Sequence, residues 1–221
     1  MIQVWGRRNS ANVQKALWAL EELELPYTRE NVGGSFGGNH DADYLAMNPM
    51  GLVPVIRDGD VTMFESNAIV RYLSARYRAG VLRPADHRHL AMAEQWMEWQ
   101  QQYVAPLVST IFMNNVRSTP EKRNGAAVAA AEKQMAARLE IADRHLARNE
   151  YFAGPDFSFG DIVMGVFYWR FLGLGVRRPA TPHLDAWMEG IAKREAFQRA
   201  VKDVPRARNL EEWNRIEKET A

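Results

Sequence analysis

Cysteine is absent from all 221 residues. That excludes structural disulfides, thiolate metal sites and any redox cycle on a protein thiol. Sulfur chemistry would have to enter with a ligand. An excess of one charge sign is missing too: 28 Lys and Arg stand against 27 Asp and Glu, a net charge of +1. Such a balance provides no global field for nucleic acid, an anionic membrane or a polyacidic partner. No apolar run approaches the roughly 18–20 residues that a membrane span needs. The chain opens straight into Ile2-Gln3-Val4-Trp5 without a signal-peptide pattern, so a cytoplasmic location is expected. The five histidines are scattered, and His87 and His89 would diverge on a helix, so no metal site is expected. No long-period repeat is visible.

What is present is a soluble globular composition, 47% hydrophobic and 25% charged, long enough for one large domain or two modest ones. Residues 48–73 organise the rest. Asn48-Pro49 starts a turn, and Val53 to Arg57 and Asp60 to Phe64 are apolar-containing runs joined by Asp58-Gly59. That dipeptide suits a tight antiparallel hairpin. Glu65-Ser66 then opens a helix whose Ile69, Tyr72 and Leu73 share a face. Pro54 is out of place in a central strand, because proline removes a ladder donor. An edge strand, a strand beginning at Pro54, or a cis Val53–Pro54 bond would each accommodate it.

Ahead of this stretch, Ile2 to Trp5 reads as a buried strand. Val13, Ala16, Leu17, Leu20 and Leu23 recur at helical spacing, with Ser10 or Asn12 a natural cap. After Pro26, Tyr27 to Val32 reads as a second strand, completing a βαβ unit with a parallel pair. Gly33 to Asn39 lacks the spacing of a phosphate cradle, and Asp41 to Met47 reads as a short helix or turn. The order through about residue 78 is β-α-β-α-β-β-α, the thioredoxin-like arrangement. Arg78-Ala79-Gly80 and Arg83-Pro84 mark a linker, and the remainder reads as helical. The expected domains are therefore 1–78 and 86–221.

In the second part, Leu90 to Tyr103 forms an amphipathic helix with a kink at Pro106, and Thr119-Pro120-Glu121 looks like a helix start. Ser158-Phe159-Gly160-Asp161 is a capping-box-like opening to an apolar helix, and Asp161 is expected to serve folding rather than catalysis. The charged tail after Pro205 is expected to pack loosely.

Gly51-Leu52-Val53-Pro54-Val55, followed by Glu65-Ser66-Asn67-Ala68-Ile69 and Arg71-Tyr72-Leu73, resembles the glutathione-binding half of the cytosolic glutathione S-transferases. The resemblance implies that fold: an α/β thioredoxin-like N-terminal domain plus an all-α C-terminal domain. It also implies a cis Val53–Pro54 bond, with the Val53 backbone pairing the cysteinyl part of glutathione and Glu65 and Ser66 holding its γ-glutamyl end. His40 is placed to reach the glycyl carboxylate. Tyrosine and cysteine are missing from the segment that carries the thiol-activating residue, so a serine- or asparagine-type bacterial branch is implied. Ser10 or Asn12 is then the activator, Asn12 lying three residues before Lys15 as in the asparagine type. The implied activity is conjugation of the glutathione thiolate to small hydrophobic electrophiles, halogenated ones included, in detoxification. Glutathione is the co-substrate, and no metal is needed. Two other readings stay open: glutathione-dependent reduction of disulfides or peroxides, and a non-catalytic binding or adaptor protein. Phe112, Trp169 and Phe171 are candidates to line the electrophile site, though aromatics at such spacing are more often core. A homodimer is implied by the family and by the aromatic helix carrying Trp96 and Trp99.

Overall fold

The computed structural model describes residues 1–220. A four-stranded mixed sheet is built from β1 (Ile2–Trp5), β2 (Tyr27–Glu30), β3 (Val55–Asp58) and β4 (Val61–Phe64), in the order β2-β1-β3-β4. β1 and β2 are parallel, with Ile2 opposite Tyr27; β1–β3 and β3–β4 are antiparallel, with Val4 opposite Ile56 and Val55 opposite Phe64. The parallel pair is joined by α1 (Ala11–Glu22), as the βαβ reading requires, and the short α2 (Ala42–Met47) lies between β2 and β3. β2 stops two residues before Val32. The chain there hydrogen-bonds to the loop after β1 instead, Gly6 N–H donating to Glu30 O and Arg7 N–H to Val32 O. Pro54 lies just outside β3, and the Val53–Pro54 bond is cis.

Helix α1 is more deeply placed than a one-face pattern suggests. All eight residues from Val13 to Leu20 are buried, because the helix is covered by the sheet and α3 (Ser66–Arg76) on one side and by the helical half on the other. Gly6 has φ +153, and a Cβ there would fall 2.5 Å from Val13 Cγ2, so glycine lets the strand end press against the helix. Trp18 crosses to the helical half. It packs edge-on against Phe197 at 4.8 Å and over Gly165, whose absent Cβ leaves the room. Charged pairs reinforce this seam, with Arg194 reaching both carboxylate oxygens of Glu22 at 2.7 Å.

The helical half contains α4 (His87–Trp99), α5 (Ala105–Asn115), α6 (Gly125–Leu146), α7 (Phe159–Leu172), α8 (Pro182–Ile191), α9 (Glu195–Phe197) and α10 (Leu210–Glu219). Between α4 and α5 runs a π-turn, Gln100–Val104, with Pro106 at the start of α5. A proline there cannot donate to the preceding turn, which fits the expected kink. Thr119-Pro120-Glu121 opens only a 3₁₀ turn, Pro120–Lys122. α6 starts at Gly125 under an Asn124 cap whose side chain accepts from Ala127 N–H. α7 begins with the expected capping box, in which Ser158 and Asp161 bond each other's backbone segment. Asp161 is fully buried and sits at the start of the core helix rather than in a cavity. Trp96 is a core residue, 6% exposed and packed against His145 and Phe152, while Trp99 is half-buried. The aromatic argument for a partner surface at Trp96 is thereby removed.

The expectation of a loose tail is overturned. Asn209 caps α10 by accepting from Glu212 N–H, and Trp213, Ile216 and Glu217 are buried. Their i, i+3, i+4 spacing turns one face inward, onto Phe112 and Val116 of the α5 end. Glu217 forms an ion pair of 2.9 Å with Arg7 and accepts from Ser35 N–H at 2.8 Å. The tail thus closes against the first turn of the chain. Among the described residues, no helix is long and apolar enough to cross a membrane.

Candidate active site

The loop after β1, the entry to β3 and the start of α3 meet at one end of the sheet, beyond its central strands. Ser10 occupies the cap position of α1, with extended φ/ψ, yet its side chain makes no capping bond. Among the described residues its hydroxyl has no hydrogen-bond partner. Asn12, in the first turn of the same helix, is exposed, and its Oδ1 accepts a hydrogen bond from Ser66 Oγ at 3.3 Å. These residues are 54 positions apart in sequence. With Oδ1 taken by Ser66, the amide nitrogen of Asn12 remains a donor, and both Ser10 and Asn12 border one cavity.

At the start of α3, Glu65 has φ +69 and ψ 106, a backbone conformation that non-glycine residues rarely occupy. Holding such a residue costs on the order of 1–3 kcal/mol, and strain of this kind is concentrated at functional sites. Glu65 is exposed, whereas Ser66 and Asn67 are buried. Asn67 Oδ1 accepts from Lys15 Nζ at 2.9 Å, and Gln100 Oε1 accepts from the same ammonium at 3.3 Å. Lys15 is fully buried, with Nζ also 4.5 Å from the Phe167 ring centre. Burial pulls its pKa down to about 7, against the raising effect of Glu65. Its two amide partners come from the sheet half and from the π-turn, so Lys15 ties the starts of α1 and α3 to the helical half. On the β3 side, Tyr44 Oη and Asn48 Nδ2 both donate to Leu52 O at 2.7 Å, which fixes the loop leading into Val53 and Pro54. His40 is exposed, its ring lying against Gly51 so closely that a Cβ there would approach within 2.8 Å.

The cavity beside Ser10 and Asn12 has a volume of ≈ 140 Å³. Its far wall comes from Phe112 of α5, Phe167 and Arg170 of α7, and Trp213 of α10. A larger cavity of ≈ 460 Å³ lies at the linker and contains the His89–Asp86 pair. It lies apart from the strained turn and the uncommitted donors.

Residues 9–76 match the glutathione S-transferase N-terminal domain, and residues 102–195 match the C-terminal domain. The chain belongs to the glutathione S-transferase family. The transferase is 43% identical over 203 residues to glutathione S-transferase GstB of Escherichia coli K12, covering 91% of this chain and 98% of that protein. It is 34% identical over 215 residues to glutathione S-transferase 3 of Zea mays, covering 92% and 95%. Among solved structures it resembles the theta class glutathione S-transferase of Xanthomonas axonopodis pv. citri with glutathione bound. There the TM-score is 0.87 and the identity 43%, over 90% of this chain and 96% of that one.

In this transferase, Ser10, Asn12 and Ser66 come together, Val53 and Pro54 sit at the entry to β3, and Glu65 lies beside Ser66. Of the three aromatic candidates, Phe112 lines the cavity. Trp169 packs on Phe197 and under Arg206, and Phe171 is core beside Tyr168. Sequence reading missed Arg7, Arg170 and Trp213. Arg170 was visible as a lone cation in an apolar helix. Trp213 was visible in the amphipathic run after Asn209-x-x-Glu212, a helix-start pattern that the charge of the tail obscured.

Proposed function

We propose that the protein binds glutathione at that end of the sheet and transfers its thiolate to a small hydrophobic electrophile held in the adjoining cavity. The observation that carries this reading is the Ser66–Asn12 hydrogen bond. It brings the start of α3 to the first turn of α1, where a thiol donor is needed. Residues 1–78 serve as the glutathione-binding domain and 86–221 as the helical domain.

Glutathione is a good nucleophile only as the thiolate. Lowering a thiol pKa near 8.5 by two units takes about 2.7 kcal/mol of preferential anion stabilisation. A hydrogen bond to a charged group supplies roughly 1.5–3 kcal/mol, and a helix N-terminus adds about 0.3–1. One donor from Ser10 or Asn12 at the start of α1 therefore suffices without a cationic base. In the same reading the Val53 backbone, set by Pro54, pairs with the cysteinyl unit. Glu65 and Ser66 hold the γ-glutamyl end, the one Ser66 hydroxyl proton turning from Asn12 Oδ1 to its carboxylate, and His40 reaches the glycyl carboxylate. No metal takes part. The protein acts in the cytoplasm, in detoxification, as a homodimer, and sedimentation as a monomer alone would remove the last element.

Retention on immobilised glutathione together with conjugation of 1-chloro-2,4-dinitrobenzene tests the reading. Failure of both excludes a transferase, and retention without conjugation favours a binding protein. Ser66→Ala should raise KM for glutathione by about tenfold or more, the effect of losing a bond to a charged group, with a smaller change in kcat. Unchanged glutathione affinity in that variant removes Ser66 from the γ-glutamyl site.

A further inference from the structure

The cavity that faces Ser10 and Asn12 is lined by aromatic rings but is not electrically neutral. Arg170 Nη2 donates to the Asn9 carbonyl at 2.7 Å and to Gln14 Oε1 at 3.3 Å, both uncharged acceptors. Its guanidinium lies 5.0 Å from the Phe112 ring centre and 5.7 Å from that of Trp213. Arg117 covers Trp213 at 4.9 Å. Arg7 completes the cluster, and its pairing with Glu217 is the ion pair that the described residues make to any of these three cations. Burial, then the charges of Arg7, Arg117 and Arg206, pull Arg170 down to about 10. Three like charges gathered in a half-buried site around the single carboxylate of Glu217 are unfavourable unless a ligand supplies a further anion.

Two other walls point the same way. Asn9 is 2% exposed, and neither atom of its amide has a partner among the described residues. The Trp213 indole N–H also has none. Buried tryptophan N–H groups ordinarily find an acceptor. The site thus combines surplus donors with a volume of ≈ 140 Å³, well under the roughly 300–1,000 Å³ of a drug-sized pocket.

We propose that the electrophile is a short carboxylic acid carrying a leaving group on its α-carbon, with its carboxylate bound by Arg170 and its reacting carbon turned toward Ser10 and Asn12. This inference rests on the transferase reading and narrows its substrate class. The sulfur lone pair of the glutathione thiolate forms the C–S bond, the carbon–halogen bond breaks, and halide leaves with its electron pair. The carboxylate is unchanged, and the thiol proton has already passed to solvent. Arg170 binds the end of the molecule that does not react, so it acts on substrate binding and orientation.

Iodoacetate and iodoacetamide test this, because they share the reacting carbon and leaving group and differ in charge. After subtraction of the uncatalysed reaction with glutathione, the wild-type protein should prefer iodoacetate in kcat/KM by about tenfold or more, the size of one charge-assisted contact. Arg170→Met should raise KM for iodoacetate about tenfold more than KM for iodoacetamide, while Arg170→Lys should keep part of the preference. Should Arg170→Met fail to fold, Arg117→Met should lower the preference by a few-fold, as removal of a neighbouring charge. A preference for iodoacetamide in a protein that conjugates 1-chloro-2,4-dinitrobenzene overturns the anionic-substrate inference and leaves the transferase reading standing. Inactivity on all three compounds overturns both.

Discussion

Replacing both Ser10 and Asn12 by alanine should raise the pKa of the bound glutathione thiol by roughly one to two units, the loss of a donor worth about 1.5–3 kcal/mol to its anion. Activity at neutral pH should then fall by about tenfold to a hundredfold, and most of it should return as pH rises and the thiol ionises unaided. The sign follows from which form the donor favours. A hydrogen bond to the thiolate depresses the thiol pKa, so its loss matters where the unaided thiol is protonated and disappears above that range. The two hydroxyl and amide donors stand differently in the fold. Ser10 is at the cap position with a free hydroxyl, whereas the orientation of Asn12 is set by Ser66. The single variants assign the role, since the activator is the residue whose loss reproduces the double effect. Thiolate absorbance of the glutathione complex, titrated in all four proteins, is the measurement. Superimposed curves with glutathione still bound would mean that neither residue activates sulfur.

Asp161→Ala should lose about 3–5 kcal/mol of stability without a direct effect on thiol ionisation, because it strands buried donors. Asp161 Oδ1 accepts from Phe152 N–H and Trp187 Nε1–H, both at 3.0 Å, and Oδ2 accepts from Ser158 N–H at 2.9 Å and Ser158 Oγ at 3.0 Å. One carboxylate therefore fixes the start of α7, the loop before it and α8. Burial holds its pKa up at about 6, above the ordinary 3.8, although these donors pull the other way. A raised folded-state pKa means that the folded form keeps the proton longer than the unfolded form. The contribution of this group is fully present below about pH 4 and weakens as pH rises through 6. The deficit of Asp161→Ala in urea unfolding should accordingly be about 1 kcal/mol larger at pH 5 than at pH 7. An equal deficit at both pH values would show that the donors outweigh burial and keep the group ionised.

The parts of this fold that were legible in the sequence are those decided within a few residues. The βαβ unit, the Asp58-Gly59 hairpin and the Ser158 capping box each announce themselves by local turn chemistry and spacing. The residues proposed to hold glutathione were named for a second reason: Val53-Pro54 and Glu65-Ser66 match a family pattern. The far wall of the cavity was not legible. Arg170 meets Asn9 across 161 positions of chain, and Glu217 meets Ser35 across 182. No periodicity reports contacts at that range. Trp213 was lost because Arg206, Arg208, Glu211 and Glu212 made the tail look solvated, while its buried face depended on α5 being there to receive it. Thr119-Pro120 misplaced the start of α6 for a smaller reason. Proline suits the first position of any helical turn, and here the turn is 3₁₀ and ends before the Asn124 cap.

The docking of α10 against Arg7 and Ser35 gives the protein a definite order of completion during synthesis. The groups proposed to meet the thiol and the γ-glutamyl end, Ser10, Asn12, Glu65 and Ser66, all lie within the first third of the sequence. The Trp213 wall of the cavity and the carboxylate that partners Arg7 belong to α10, far later in the chain. A nascent chain can assemble its sheet early, but the cavity beside Ser10 and Asn12 lacks its Trp213 wall until α10 has been made and has docked. Any product that stops short of α10 keeps every residue proposed to hold glutathione and loses one wall of the cavity beside them.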